Sequence, residues 1–256
     1  MSKYINLQSQ ENVIKDLQHR VKESIASYPM LSTPQEKMGV AIDIGANIGG
    51  FVVHAHKCFE KVYAFEPVIE NYNILSQIIK FYEIKNTEAF HTAVYGTSNK
   101  ELPLKIHENK FSGCVSCANF DNKDWNFSEV GEICQTISLA DMMTVLNLNR
   151  IDYLKVDCEG SEYEIFENFY DYDKIDVIAL EIHGFFGEKR KEALLSLLID
   201  HYFCIDLSTS ERKKASLMEL ILASESNAKL LLDKSNFLLI NRNMIHTHNL
   251  VPPESL

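Results

Sequence analysis

No stretch of this chain approaches the run of about 18 apolar residues that a membrane helix needs, so no spanning segment is expected. Basic residues are the scarcer charge: 25 Lys and Arg stand against 36 Asp and Glu, a net charge of −11. So acidic a surface repels a phosphate backbone, and the dense basic clusters, Lys189 to Lys191 and Arg212 to Lys214, read as solvated helix ends. Nucleic acid is therefore not an expected partner. Cysteine is sparse and dispersed, at positions 58, 114, 117, 134, 158 and 204, which excludes a disulfide framework and points to reduced thiols. Cys114 and Cys117 form one C-x-x-C, but no second pair at metal-ligand spacing accompanies it, so they read as ordinary thiols. The opening M-S-K-Y-I-N-L-Q-S-Q-E-N lacks the charged start and apolar stretch of a signal peptide, and a cytoplasmic protein is expected. There is no internal repeat and no low-complexity segment.

What is present is a core-forming composition, 46% hydrophobic with 24% charged residues over 256 positions, suited to one large α/β domain with additions. Its centre is Val40 to Phe51, V-A-I-D-I-G-A-N-I-G-G-F, an apolar run that breaks into glycines and resumes with helical spacing. That is the pattern of a parallel strand entering a helix through a tight turn, a place where small ligands bind. Gly45 suits a backbone conformation closed to other residues, and Gly49 and Gly50 allow close approach to a ligand or to the sheet. From Val40 the chain alternates: strand Val40 to Ile44, helix Ile48 to Cys58, strand Lys61 to Phe65, helix Val68 to Tyr82, strand Ala89 to Val94. After an irregular region the rhythm returns with helix Leu139 to Leu148, strand Tyr153 to Val156, strand Ile175 to Leu180, helix Glu188 to Tyr202, strand Phe203 to Leu207 and a last strand Phe237 to Asn241. Repeated βα units imply parallel strands joined by right-handed crossovers.

Three additions flank or interrupt this domain, which is taken as 38–245. Residues 1–37 form an N-terminal helical extension in which Val13, Leu17, Val21 and Ile25 make an apolar stripe at spacings of four, read as packing on the main domain, with a homodimer or lid contact as the alternative. Within the irregular region Leu102 to His107 and Ile133 to Ile137 read as strands, and 108–127 is a polar and aromatic loop assigned to the substrate pocket. The segment 208–235 before the last strand reads as helical over Glu211 to Asp233, and 246–256 as a loose tail. Ser161 with Glu164 gives a capping-box pattern for the helix after the fourth strand.

The chemistry starts at the glycine turn. The run Lys61 to Phe65 ends in Glu66, an acid about 20 residues beyond Gly45, suited to the hydroxyl pair of a ribose. A dinucleotide site prefers G-x-G-x-x-G, but Asn47 stands where the second glycine admits a pyrophosphate. Asp43 before the turn would repel phosphates and welcome a cationic amino-acid group. The balance favours S-adenosylmethionine, an adenosine with a positively charged methionine and no phosphate.

D-I-G-A-N-I-G at 43 to 49, F-E-P at 65 to 67, D-Y-L-K-V-D-C-E-G-S-E at 152 to 162 and A-L-E-I-H at 179 to 183 together resemble the FkbM-type methyltransferases. The resemblance covers roughly Val40 to His183. It implies a Rossmann-like class I methyltransferase fold, α/β, with a seven-stranded, mostly parallel sheet, helices on both faces and an antiparallel last strand. It also implies methyl transfer to a hydroxyl of a sugar, polyketide or similar small molecule. Carried across by position, Asp43, Gly45, Ala46, Asn47 and Gly49 hold the methionine end and Glu66 the ribose, with Pro67, Thr92 and Ala93 against adenine.

Asp157 and Glu159 follow the fourth strand, whose carboxyl end faces the cofactor's crevice, so Asp157 is expected near the transferred methyl. Methyl transfer from a neutral hydroxyl benefits from a base and from in-line alignment. Asp157, Glu181 and His183 sit at strand ends that could surround that oxygen, and His183, with an ordinary pKa near 6.5, is the favoured base. Lys155 reads equally as an ion-pairing or a catalytic residue. Two acids and a histidine also allow magnesium- or manganese-assisted O-methylation, a variant that activity surviving EDTA would exclude; no metal ligands are assigned. The expected function is S-adenosylmethionine-dependent O-methylation of a sugar or sugar nucleotide, with Phe111, Phe120 and Trp125 available to stack on sugar faces. A polyketide, peptide or lipid acceptor is the nearest alternative. An NAD-dependent oxidoreductase and a non-catalytic methyltransferase-fold binding protein are the alternatives from other classes.

Overall fold

The structure, a computed structural model, describes residues 11–27, 37–107, 115–116, 127–207 and 221–244. The run that organises the sequence forms strand β1 (Met38–Ile44), flanked in parallel by β2 (Phe59–Phe65) and β8 (Ile151–Val156). Covered by helices on both faces, β1 has no reason to alternate, which is why it reads as a nearly continuous apolar stretch. Alternation survives as a choice between two cores. Ile42 and Ile44 point into one core with Leu154, Tyr163, Phe166 and Leu195, while Ala41 points into the other with Phe51, Val52 and Tyr153.

Seven strands make the main sheet: β3 (Thr87–Phe90), β2, β1, β8, β9 (Ile175–Glu181), β11 (Asn236–Asn241) and β10 (Tyr202–Asp206), in that spatial order. All neighbours are parallel except at β11, which runs antiparallel to both β9 and β10. This is the mostly parallel sheet with an antiparallel last strand that the family resemblance implies. The chain builds outward from β1 to β3, then returns to start β8 on the other side of β1. Between the carboxyl ends of β1 and β8 lies the switch point where open α/β sheets bind ligands.

Helices among the described residues include α1 (Glu11–Ser27), α2 (Gly50–Ala55), α3 (Ile69–Phe81), α4 (Leu139–Val145), α5 (Glu162–Glu167) and α6 (Glu188–His201). Helix α1 lays Leu17 against Ile48, Ile74 and Ile78, with Val13 and Val21 packed beside them. The stripe drawn at spacings of four slides off the buried face because eight residues overrun two turns by about 80°. Ile25 is therefore 53% exposed, and Ser24 takes the buried position, its Oγ 3.4 Å from His54 Nδ1. No helix among the described residues is long and apolar enough to cross a membrane.

Gly49 and Gly50 serve this packing. A Cβ on Gly50 would lie 2.6 Å from Arg20 Cβ and 3.0 Å from its carbonyl carbon, and one on Gly49 would lie 2.7 Å from Leu75 Cδ1. The second glycine is small so that α1 can lie across the start of α2. Gly50→Ala is accordingly expected to destabilise the fold by about 1–3 kcal/mol, the usual cost of overpacking. Urea unfolding measures it, and an unchanged midpoint would mean that α1 does not need this contact.

Several boundaries differ from the sequence reading. The predicted strand Ala89 to Val94 is two strands, because the chain leaves the main sheet after Phe90 and Ala93–Tyr95 (β4) pairs with β7 (Phe127–Ser138) instead. With β5 (Glu101–His107) and β6 (Val115–Ser116) these make a second, four-stranded sheet in the order β4-β7-β5-β6. The capping box does not form: Ser161 is itself helical (φ −75°, ψ −7°) with no side-chain cap bond, and Glu164 pairs with Arg190 at 2.9 Å. In the segment before β11, of which residues 208–220 lie outside the described residues, the helical expectation is broken at Ser224 and Glu225, where Glu225 bridges antiparallel to Cys204, its N–H donating to the Cys204 carbonyl at 2.8 Å, and returns only as a short 3-10 turn, Ala228–Leu231. Phe111, Cys114, Cys117, Phe120, Trp125 and the tail 246–256 lie outside the described residues.

Candidate functional site

The turn after β1 is built by tight approach. Gly45 adopts φ +76°, and a Cβ there would lie 1.9 Å from the Asp157 carbonyl oxygen, so no side chain fits between the ends of β1 and β8. The Gly45 and Ala46 N–H groups both donate to the Phe65 carbonyl at 3.0 Å, and the Asp157 N–H donates to the Ile44 carbonyl at 3.2 Å. Asn47 stands at φ +50°, a conformation asparagine tolerates, and its Oδ1 accepts from the Ile48 N–H at 2.8 Å. Three strand ends are thus sewn together around one turn.

Glu66, just beyond β2, is 4% exposed. Its Oε2 accepts from the Asn47 N–H at 2.7 Å, and its Oε1 accepts from the Val68 N–H at 2.9 Å and from Asn71 Nδ2 at 3.4 Å. A carboxylate has about four acceptor positions, so one remains beyond these three bonds. Burial pushes the Glu66 pKa up to about 7, against the pull of the Val68, Asn47 and Asn71 bonds and of the Lys155 charge. Since the folded pKa lies above the unfolded value, the folded state holds an extra proton between them, and stability falls as pH rises from about 4.5 to about 7. Glu66→Gln, which cannot ionise, should lack that fall, so the wild-type advantage over the variant shrinks across this window in urea titrations. A parallel pH dependence in both proteins would assign the effect elsewhere.

Asp43 and Lys155 are register partners on adjacent strands, so their side chains share a face. Asp43 is fully buried, and its Oδ1 stands 3.0 Å from Lys155 Nζ, which also donates to the Gly45 carbonyl at 2.8 Å and lies 3.9 Å from Asp157 Oδ2. Burial raises the Asp43 pKa, opposed chiefly by Lys155. The cation that answers the Asp43 charge within the protein is thus Lys155, and the pair holds the glycine turn from beneath.

Beyond β8, Glu159 (φ +53°) and Gly160 (φ +106°) turn the chain sharply into α5. Here the acids converge on His183. Its Nδ1 meets Glu162 Oε1 at 2.6 Å, and its Nε2 faces Glu159 Oε2 at 3.4 Å and Glu181 Oε1 at 4.0 Å. Burial alone would depress the imidazole, but Glu162, Glu159 and Asp157 outweigh it and raise the pKa to about 10. The surrounding carboxylates thus favour the protonated ring, and both ring nitrogens, the ones a base would use, already face acids. Glu181 is pushed up to about 7 by burial and by Asp157 and Glu159, against His183 and Lys155, and its side chain is 39% exposed. Nothing in local spacing marks Glu162 among neighbouring acids, and its importance comes from complete burial against a ring 21 positions away.

Of the remaining expected residues, Pro67 is half-buried, its carbonyl oxygen 2.9 Å from His91 Nε2, and Thr92 lies half-buried between β3 and β4. Ala93 is corrected: it is 3% exposed and packs with Leu104 and Cys134 under the second sheet, so its side chain is not available to a ligand.

A sequence profile described as the methyltransferase FkbM domain matches residues 43–208. No curated protein matches significantly. Similar solved structures include an rRNA methylase from Streptococcus thermophilus, at 14% identity and TM-score 0.43 over 87% of this chain and 95% of that one. Another is precorrin-6y C5,15-methyltransferase from Geobacter metallireducens, at 13% identity and TM-score 0.39 over 80% and 78%. A third is methyltransferase FkbM from Methylobacillus flagellatus, at 11% identity and TM-score 0.36 over 91% of this chain and 60% of that one. At such identities and scores these likenesses carry no argument about an acceptor.

Proposed function

The chain belongs to the FkbM methyltransferase family, and on that premise we propose that it is an S-adenosylmethionine-dependent O-methyltransferase acting on a hydroxyl of a sugar or sugar nucleotide. The observation that carries the reading is the meeting of the Glu66-pinned glycine turn and the acids of β8 and β9 at one switch point, with Gly45 against the Asp157 backbone. The residues suit the cofactor: Glu66 keeps an acceptor position for a ribose hydroxyl, and Gly45 to Gly49 offer a turn without phosphate-binding character. Pro67 and Thr92 border the adenine side. Asp43 contributes through Lys155, by fixing the turn that holds the methionine end. When bound, S-adenosylmethionine supplies a sulfonium-activated methyl group.

The chain's own task is to orient the acceptor and remove its proton. Asp157 stands between turn and acceptor. Glu181, at the end of β9 with its side chain partly exposed, is the group we assign to receive the hydroxyl proton, since both nitrogens of His183 already face carboxylates. A sugar is preferred for the polar and aromatic composition of 108–127, which offers stacking and hydrogen bonding together. A nucleic-acid acceptor is not proposed for a chain of net charge −11.

Calorimetric titration with S-adenosylhomocysteine and with NAD tests the cofactor. S-adenosylhomocysteine is expected to bind, and Glu66→Ala to weaken it by about 1–3 kcal/mol through loss of charged hydrogen bonds. Tight NAD binding without a response to S-adenosylhomocysteine would replace the methyltransferase reading by the oxidoreductase one. Incubation with nucleotide sugars and cofactor, read by mass spectrometry as the gain of one methyl, identifies the acceptor.

A further inference from the structure

We propose that Asp157, Glu159 and His183 bind one divalent cation of the Mn2+ or Mg2+ type, with Glu162 as the residue that turns His183 into a ligand. One ligand atom from each of the three lies within 4.8 Å of the others. Cis ligands at about 2.1 Å from an octahedral ion stand about 3 Å apart, a separation that small side-chain rotations reach from here. Asp157 and Glu159 have side chains 36% and 17% exposed, so an ion and its waters have an approach.

The arrangement of His183 distinguishes this place from a mere collection of acids. Glu162 is fully buried and takes Nδ1 at 2.6 Å, while the Tyr163 hydroxyl donates to the His183 carbonyl at 2.9 Å. Ring and backbone are both fixed, with Nε2 directed at Glu159; a cation bound there replaces the Nε2 proton, which leaves to solvent, while Nδ1 keeps its proton toward Glu162. A metal-binding histidine is commonly held this way, its second nitrogen donating to a carboxylate that sets tautomer and direction. Four carboxylates (Asp157, Glu159, Glu162, Glu181) stand around one imidazole, with the Lys155 ammonium 3.9 Å from Asp157 and shared with Asp43, which leaves a negative surplus that an added cation would offset. Two carboxylate oxygens and one imidazole nitrogen suit Mn2+ better than Mg2+, because nitrogen donors favour the transition ion. Three protein ligands leave positions for water and for an acceptor hydroxyl, whose pKa a cation would lower before Glu181 takes the proton.

The cation's use rests on the methyl-transfer reading; its binding does not. The test is titration of the full chain with MnCl2, following free Mn2+ by electron paramagnetic resonance, with S-adenosylhomocysteine calorimetry on the same preparations. One Mn2+ per chain is expected. Glu159→Gln and His183→Ala should abolish saturable binding, and Glu162→Gln should weaken it about 10–100-fold, the usual effect of removing such a supporting carboxylate. Circular dichroism checks the fold of each, and Glu159→Gln, at a partly exposed position, keeps the test decisive if a buried variant misfolds. No saturable Mn2+ binding by the wild type, or equal binding by wild type and Glu159→Gln, overturns the site. S-adenosylhomocysteine bound without Mn2+ sinks the cation and leaves the methyltransferase; Mn2+ bound without S-adenosylhomocysteine does the reverse.

Discussion

Replacing Lys155 by methionine is expected to cost about 3–5 kcal/mol of folding stability at neutral pH, the cost of stranding one member of a buried ion pair. The partner, Asp43, is fully buried, and Lys155 Nζ is both its 3.0 Å counter-charge and the 2.8 Å donor to the Gly45 carbonyl. Without the ammonium, Asp43 either remains charged in the core or takes up a proton, and burial already favours the proton. Removing Lys155 raises the folded pKa further above the unfolded one. The folded variant then binds a proton that the unfolded chain has lost, so its deficit against wild type widens as pH rises from acid toward neutral. Adding Asp43→Asn should recover part of the loss, because the two residues act as a unit. Urea unfolding of the two single variants and the double at pH 5 and pH 7 measures all of this. A deficit under about 1 kcal/mol, or one that ignores pH, would show that the pair behaves as a surface salt bridge despite its burial. Because the same ammonium fixes the glycine turn, S-adenosylhomocysteine affinity should fall with stability.

The second large effect belongs to Glu181. Glu181→Gln should lower the rate of methyl transfer about 10²–10⁴-fold, the range associated with a positioned general base, while leaving S-adenosylhomocysteine affinity near wild type. Glutamine keeps the shape of the strand end and removes only the proton acceptor. Single-turnover transfer to whichever nucleotide sugar gains a methyl reads this out. A variant that keeps more than about a tenth of the wild-type rate would take the proton elsewhere, and Asp157, whose side chain is 36% exposed at the neighbouring strand end, is the next candidate.

The glycine turn and Glu66 were legible in the sequence because their signals are local. A strand that ends in D-I-G and a second that ends in F-E-P say, within a few residues each, where the chain turns and which acid stands at the turn. The parallel sheet was equally legible, since hydrophobic runs of strand length alternating with helical spacing admit few topologies. Errors fell where a residue's meaning depends on a distant neighbour. Ile25 left the apolar stripe because a helix does not repeat in four, and Ala93 went to a core that exists only because β4 joins β7.

His183 shows the division most sharply. Its position at a strand end beside acids could be read from A-L-E-I-H, and its ordinary pKa suggested a base. The carboxylates that favour its protonated form, Glu162, Glu159 and Asp157, reach it from the turn after β8 and the first turn of α5. Asp43 is similar: the sequence offers a lone carboxylate before the turn, and the register of β1 against β8 sets Lys155 beside it.

The sequence by itself determined the α/β rhythm, the turn, the acid after β2 and the family, because backbone conformation and strand burial follow from short-range chemistry. The tertiary structure alone decided which charges stand against one another and which are buried. Those outcomes depend on desolvation and on distances of 3–4 Å between residues that the chain keeps far apart, and no local pattern records them.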